Sequence, residues 1–159
     1  TGTVDGPTAS ATFNAPAGIT WQTTGNVFVG EFGVSNIRMI SSSGTVTTFA
    51  GSTSGTSGYV DGFGTNAKFN VPRRISSNSA LTIFVADLSN NRIRQILSNG
   101  LVTTLAGGGS WVDGYGTSAA FNQLVGITLD TLGRIFASEW NGNKVRMIDT
   151  SGESNMEVF

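Results

Sequence analysis

Along this chain short apolar runs alternate with clusters of Gly, Ser, Thr, Asn and Asp, and no stretch sustains the 3.6-residue period of an amphipathic helix. The pattern predicts consecutive short strands, four to a unit. The first covers 18–21, with counterparts at 74–76 and 126–129. The second is the most apolar, at 27–29, 83–86 and 135–137. The third covers Asn36–Ile40, Arg92–Ile96 and Lys144–Ile148. The fourth, at 45–50 and 101–106, is closed each time by a glycine, Gly51 or Gly107.

The order recurs because the chain is three copies of one unit. Val4-Asp5-Gly6, Val60-Asp61-Gly62 and Val112-Asp113-Gly114 align, and Phe13-Asn14, Phe69-Asn70 and Phe121-Asn122 follow at the same distance from each Asp. Farther on, Ile19 corresponds to Ile75 and Ile127, Phe28 to Phe84 and Phe136, and Arg38 to Arg94 and Arg146. The units span about 5–51, 61–107 and 113–159 of a single partial domain, 1–159. Asp5 and Asp61 are 56 residues apart, Asp61 and Asp113 only 52; the excess falls in the Ser/Thr/Gly run 52–58, a surface loop by composition. A four-stranded sheet of this kind has two apolar faces and cannot cover both alone, so successive sheets must stack.

Across its whole length the second copy resembles an NHL repeat. The residues that carry the likeness are Asp61-Gly62-x-Gly64-x-x-Ala67-x-Phe69-Asn70-x-Pro72, then Ile83-Phe84-Val85-Ala86-Asp87, Asn90-Asn91-Arg92-Ile93-Arg94 and Val102-Thr103-Thr104-Leu105-Ala106-Gly107. The resemblance implies an all-β propeller with the first strand of each blade lining a central channel. Three four-stranded blades would then be half of a six-bladed ring, too few to close one, since propellers have four to eight. Segment 1–6 matches the loop that follows an outer strand, with no outer strand before it, and 152–159 replaces the last outer strand with a degenerate segment. Both ends are thus expected to be open. Pairing with a second copy, further blades of a longer chain or head-to-tail assembly would cover them.

Composition removes several functional classes. No apolar run approaches the ~20 residues of a membrane span, so none is expected. Nine basic residues against ten acidic ones, with no basic stripe, disfavour nucleic acid as a partner. The sequence has no histidine and no cysteine, so it cannot build an imidazole base, a thiolate nucleophile, a disulfide or a zinc cluster. A surface of Ser, Thr, Gly and Asn points to an extracellular or cell-surface setting, without an Asn-X-Ser/Thr glycosylation site.

Three sets of residues are candidates for chemistry. Asp5, Asp61 and Asp113 each precede a glycine; turn residues bonded to their own backbone account for them, and a ring of carboxylates holding calcium is the alternative. Calcium is the one cofactor that these carboxylates suggest. Glu31, Asp87 and Glu139 each lie seven residues before an arginine, and a hairpin of that length predicts the ion pairs Glu31–Arg38, Asp87–Arg94 and Glu139–Arg146, bracing the turn. No catalytic residue is assigned, because no carboxylate has a partner of divergent acidity.

The aromatics form the third set. Propeller geometry would put Phe32, Leu88 and Trp140 on the same rim as Tyr59, Phe63, Trp111 and Tyr115. Of these, Trp140, Trp111, Tyr59, Tyr115 and Phe32 are the candidate contacts for a glycan or a protein partner. Packing beneath the Asp-Gly turn also explains Tyr59 and Trp111, which are equivalent to each other; Trp140 departs from the other copies.

The favoured reading is a non-catalytic binding or structural module that assembles with itself or with further blades. The alternative is a propeller hydrolase or lyase with a metal site completed by another chain or by missing blades. The resemblance implies histidine at such metal centres, which this chain lacks.

Overall fold

A computed structural model describes residues 2–108 and 116–148, together with the backbone of a short strand at 157–158. The strands fall into three antiparallel sheets. The first holds β1 (Gly6–Pro7), β2 (Pro16–Trp21), β3 (Val27–Glu31), β4 (Asn36–Ile40) and β5 (Thr45–Gly51), in spatial order β1-β5-β4-β3-β2. The second repeats it with β6 (Gly62–Phe63), β7 (Pro72–Ser77), β8 (Ile83–Asp87), β9 (Arg92–Ile96) and β10 (Leu101–Gly107), in order β6-β10-β9-β8-β7. In the third, β11 (Leu124–Leu129), β12 (Ile135–Glu139), β13 (Lys144–Ile148) and β14 (Glu157–Val158) are neighbours in sequence order. Among the described residues no helix is long and apolar enough to cross a membrane.

The third predicted strand matches β4, β9 and β13, and the others extend by one or two residues at their ends. One feature differs from expectation. Gly6 pairs with Val46 and Pro7 with Thr45, and Gly62 and Phe63 pair with Val102 and Leu101 in the same way. The Asp-Gly segment is therefore a short fifth strand on the outer edge of its own sheet, rather than a loop belonging to the preceding one. Two residues are too few to show a hydrophobic period. Between the third and fourth strands, Gly44 and Gly100 adopt φ of +80° and +86°, where L side chains are strained, and their N–H groups donate to Ser41 and Leu97 carbonyls at 2.9 Å.

The core lies between sheets. Phe28, Ile37 and Ala50 of the first sheet pack with Phe69, Ile75, Ile83, Val85, Ile96 and Val102 of the second. Phe84, Ala86, Ile93 and Ala106 on the far face of the second sheet meet Phe121, Leu124, Ile135, Ala137 and Ile148 of the third. Each large apolar side chain buried in this way contributes roughly 1.5–3 kcal/mol. At the inner edges, Thr20 and Ser77 hydroxyls lie 2.9 Å apart, and Ser77 Oγ also donates to the Trp21 carbonyl at 2.9 Å.

Among the described residues the outer face of the first sheet has no neighbour. Ile75 is 6% exposed against the first sheet, whereas its counterpart Ile19 is 69% exposed and Trp21 beside it 68%. The same backbone position is covered in the second copy and bare in the first because the second has a sheet in front of it and the first does not.

Candidate functional site

At the heart of each sheet lies an arginine. Arg94 on β9 is fully buried; its Nη1 donates to Asp87 Oδ2 at 3.0 Å and to the Lys68 carbonyl at 2.8 Å. Its Nη2 donates to Asp61 Oδ1 at 2.7 Å and to the Val60 carbonyl at 3.1 Å. The Phe69 ring covers the guanidinium at 5.1 Å. Arg38 repeats the arrangement with Glu31 at 3.1 Å, Asp5 at 2.7 Å, the Thr12 and Val4 carbonyls, and the Phe13 ring at 5.2 Å. Arg146 bonds Glu139 Oε1 at 2.6 Å and the Ala120 carbonyl at 3.0 Å, over the Phe121 ring.

The structure thus places the three acid–base pairs within hydrogen-bonding reach, and it adds a partner. Asp5 and Asp61 do not bond their own backbone turn; each reaches across its sheet to the arginine 33 residues on. Their other contacts are to β5 and β10. Thr48 N–H and hydroxyl donate to Asp5 at 3.0 and 3.2 Å, and Thr104 does the same to Asp61 at 3.1 and 3.0 Å. Every carboxylate oxygen of these two residues already has a donor, and a guanidinium stands where a cation would bind. Among the described residues no three acidic side chains converge as a metal-ligand group. Asp113 lies outside the described residues.

Burial pushes the Asp87 carboxyl up from its ordinary 3.8 to about 6, against the donors Asn90 Nδ2, Asn70 N–H and Arg94 that pull it down. Between those two values the folded chain holds a proton that the unfolded chain releases. The contribution of Asp87 to stability is therefore fully present below pH 4 and lost as the pH rises through 6. Urea unfolding from pH 4 to 7 is expected to show the parent chain losing stability relative to Asp87→Asn over that window. A difference that stays flat or grows with pH contradicts this assignment.

The aromatic candidates do not form one cluster. Tyr59 lies at the outer edge, in a groove of about 360 Å³ lined also by Asp61, Arg92, Thr104, Gly107, Gly108 and Thr117. Phe32, 45% exposed, lines a separate cleft at the inner edge, and Trp140, 66% exposed, lines neither. Trp111 and Tyr115 lie outside the described residues.

Within the outer groove, the Arg92 guanidinium stacks on the Tyr59 ring at 4.4 Å, leaving that side chain 61% exposed. The Asp61 carboxyl is about half exposed beside it, at 47%. Sequence reasoning missed Arg92, although its signal is present. The pair reads Thr3 with Asn36 in the first copy, Tyr59 with Arg92 in the second and Trp111 with Lys144 in the third, so an aromatic and a cation arrive together. An aromatic face bordered by a guanidinium, a carboxylate and hydroxyls can stack on an apolar ring face and bond its polar rim.

No family model and no curated protein matches the sequence. Solved structures do. Virginiamycin B lyase from Staphylococcus aureus is 24% identical over 92% of this chain and 41% of its own, with a TM-score of 0.65. An auxiliary nutrient binding protein from Bacteroides ovatus is 23% identical over 89% of this chain and 37% of its own, at 0.72. A chain of a nidogen/laminin complex is 17% identical over 91% of this chain and 48% of its own, at 0.65. The chain spans less than half the length of each. At these identities the likeness establishes the fold alone: the three stacked sheets are blades of a β-propeller.

Proposed function

We propose that the chain is part of an NHL-type propeller acting as a non-catalytic binding module, which takes a saccharide in the groove at Tyr59. The observation that carries this reading is the Tyr59–Arg92 stack beside the Asp61 carboxyl, at 4.4 Å, in a groove lipped by Gly107 and Gly108. Stacking on an aromatic face and bonding to charged planar groups at the rim suit a pyranose ring, which has apolar C–H faces and a polar edge. The bare face at Ile19 and Trp21 supports completion of the ring by further blades, of a second copy or of a longer chain. Its Ser/Thr/Asn-rich surface favours an extracellular setting.

The neighbours are consistent with binding, since they include a nutrient-binding protein and a laminin complex. The lyase among them is also known in a form made catalytically inactive by replacing a histidine with alanine. This chain has no histidine, so a lyase reading needs another polypeptide or further blades to supply one. Screening on a glycan array followed by calorimetry tests the binding reading. Tyr59→Ala is expected to weaken the best saccharide at least about tenfold, roughly 1.4 kcal/mol. An array without hits, or affinity unchanged in that variant, overturns it.

A further inference from the structure

The inner edge where the first two blades meet carries a second feature that the repeat does not account for. β7 contains Arg73-Arg74 where the other copies have Ala17-Gly18 and Val125-Gly126. At Gly18 a Cβ would strike the backbone of Arg73, Arg74 and Ile75 at 2.7–2.9 Å, so the inner strands of the first two blades approach closely here. The second copy nonetheless places two long cations there. The pairing register of β7 with β8 shifts between Pro72 and Arg74, which breaks the alternation of faces, and both arginines are exposed.

Neither has an acidic partner among the described residues. Arg74 Nη1 donates to the Ala17 carbonyl at 3.0 Å, anchoring it across the blade boundary. The Arg73 guanidinium makes no hydrogen bond or ion pair among the described residues. Among the described residues, the carboxylates of Asp5, Glu31, Asp61, Asp87, Asp130 and Glu139 all pair with other arginines. Two exposed guanidinium groups on consecutive residues concentrate positive charge at this edge without a carboxylate to offset it among the described residues.

Beside them is a cleft of about 340 Å³ lined by Ala17, Phe32, Val71, Arg73 and Arg74. Its lining has two parts: three apolar side chains and two cations, with no acceptor side chain. That composition differs from the Tyr59 groove, which offers a carboxylate and hydroxyls. A sugar would find no carboxylate or amide here, and a nucleic-acid strand would need a run of cations that the surrounding strands lack.

We infer that this cleft is a binding site for a small organic acid, one compact oxyanion on an apolar or aromatic body. Arg73 and Arg74 would take the oxyanion, for which the planar guanidinium offers paired parallel donors. The exposed Phe32 ring and Val71 would cover the body. Ala17 contributes its carbonyl as the anchor of Arg74 and its methyl as part of the apolar wall.

The test is a titration of the isotope-labelled chain, followed by amide and side-chain NMR, with benzoate, phenyl phosphate, inorganic phosphate and benzyl alcohol. Benzoate or phenyl phosphate is expected to shift the signals of 71–74 and Phe32 saturably; whichever binds more tightly identifies the oxyanion as carboxylate or phosphate. Benzyl alcohol, which lacks the charge, and inorganic phosphate, which lacks the body, should each bind at least about tenfold more weakly, an expectation from losing one charge-assisted contact set. Arg73→Ala with Arg74→Ala should weaken binding by a similar factor, and Phe32→Ala should weaken benzoate but not inorganic phosphate. Both arginines are exposed, so the fold should survive the change. Tyr59→Ala should leave the titration unaltered, which separates this site from the saccharide groove. Absence of saturable shifts at millimolar benzoate and phenyl phosphate, or equal affinity in the double arginine variant, overturns the assignment.

Discussion

Replacing Arg94 with alanine is expected to destabilise the chain by about 3–5 kcal/mol at neutral pH, as measured by urea unfolding. The side chain is fully buried and joins four partners that have no other cation among the described residues: the Asp87 and Asp61 carboxylates and the Lys68 and Val60 carbonyls. Its loss leaves Asp87 buried without its counter-charge and uncovers one face of Phe69. A folded domain holds only about 5–15 kcal/mol in total, so the variant should sit near the edge of folding.

The pH dependence separates this explanation from simple loss of packing. Asp87, already raised to about 6, can relieve an unpaired charge by taking up a proton. The cost of Arg94→Ala should therefore be smaller at pH 5 than at pH 8. A surface comparison sets the scale. Arg134 pairs with Asp130 at 2.6 Å, with its side chain 41% exposed, and removing it is expected to cost less than about 1 kcal/mol. Equal costs for the two arginines would mean that the buried network does not hold the sheet together. Because Arg94 also tethers the segment that carries Tyr59 and Asp61, its loss should open the saccharide groove as well as loosen the blade.

Much of this arrangement was legible in the sequence, for a physical reason. A hairpin is a local object, so a spacing of seven positions from Asp87 to Arg94 is enough to place them side by side. The stacking of sheets followed from counting apolar faces. Asp61 was harder, because it reaches an arginine 33 residues away and nothing local distinguishes that contact from an Asp-Gly turn. The lockstep of Asp and Arg through the copies was its available signal.

Other features had no such signal. Ala15, Val71 and Gln123 occupy the left-handed region at φ of 51°, 59° and 56°, just before each inner strand. These residue types have no turn preference, and two of them precede proline, which ordinarily favours an extended conformation. The conformation is imposed by tertiary pairing, as the N–H groups of Phe32, Leu88 and Trp140 all donate to the carbonyls of these residues at 3.0–3.2 Å. The aromatic candidates were separated for a related reason. A position in the repeat fixes the edge of the blade on which a residue lies, and Phe32 and Tyr59 occupy opposite edges.

Gly107→Ala is the second large effect, with an expected loss of about 2–5 kcal/mol. Gly107 ends β10 at φ +100°, a conformation that costs an L residue roughly 1–2 kcal/mol. A Cβ there would also press on the Asn91 carbonyl, on Arg92 Cα at 2.9 Å and on Phe121 of the next blade at 2.8 Å. Two of these are backbone atoms, at the start of β9 and in the turn just before it, and yield little; overpacking of this kind costs about 1–3 kcal/mol. Gly51 meets Ser35, Asn36 and Phe69 in the same way, so the contact is a repeated seat for the phenylalanine of the following blade. Gly55 provides the control, because its φ is +82° and nothing lies within 4 Å of its Cβ position. Gly55→Ala should cost only the conformational part, and the excess in Gly107→Ala then measures the blade-to-blade contact. If the two substitutions cost the same, Phe121 does not rest on Gly107 and the blade spacing is set elsewhere. If the excess is found, the variant should also shift the lip of the Tyr59 groove and weaken its saccharide, since Gly107 lines both places.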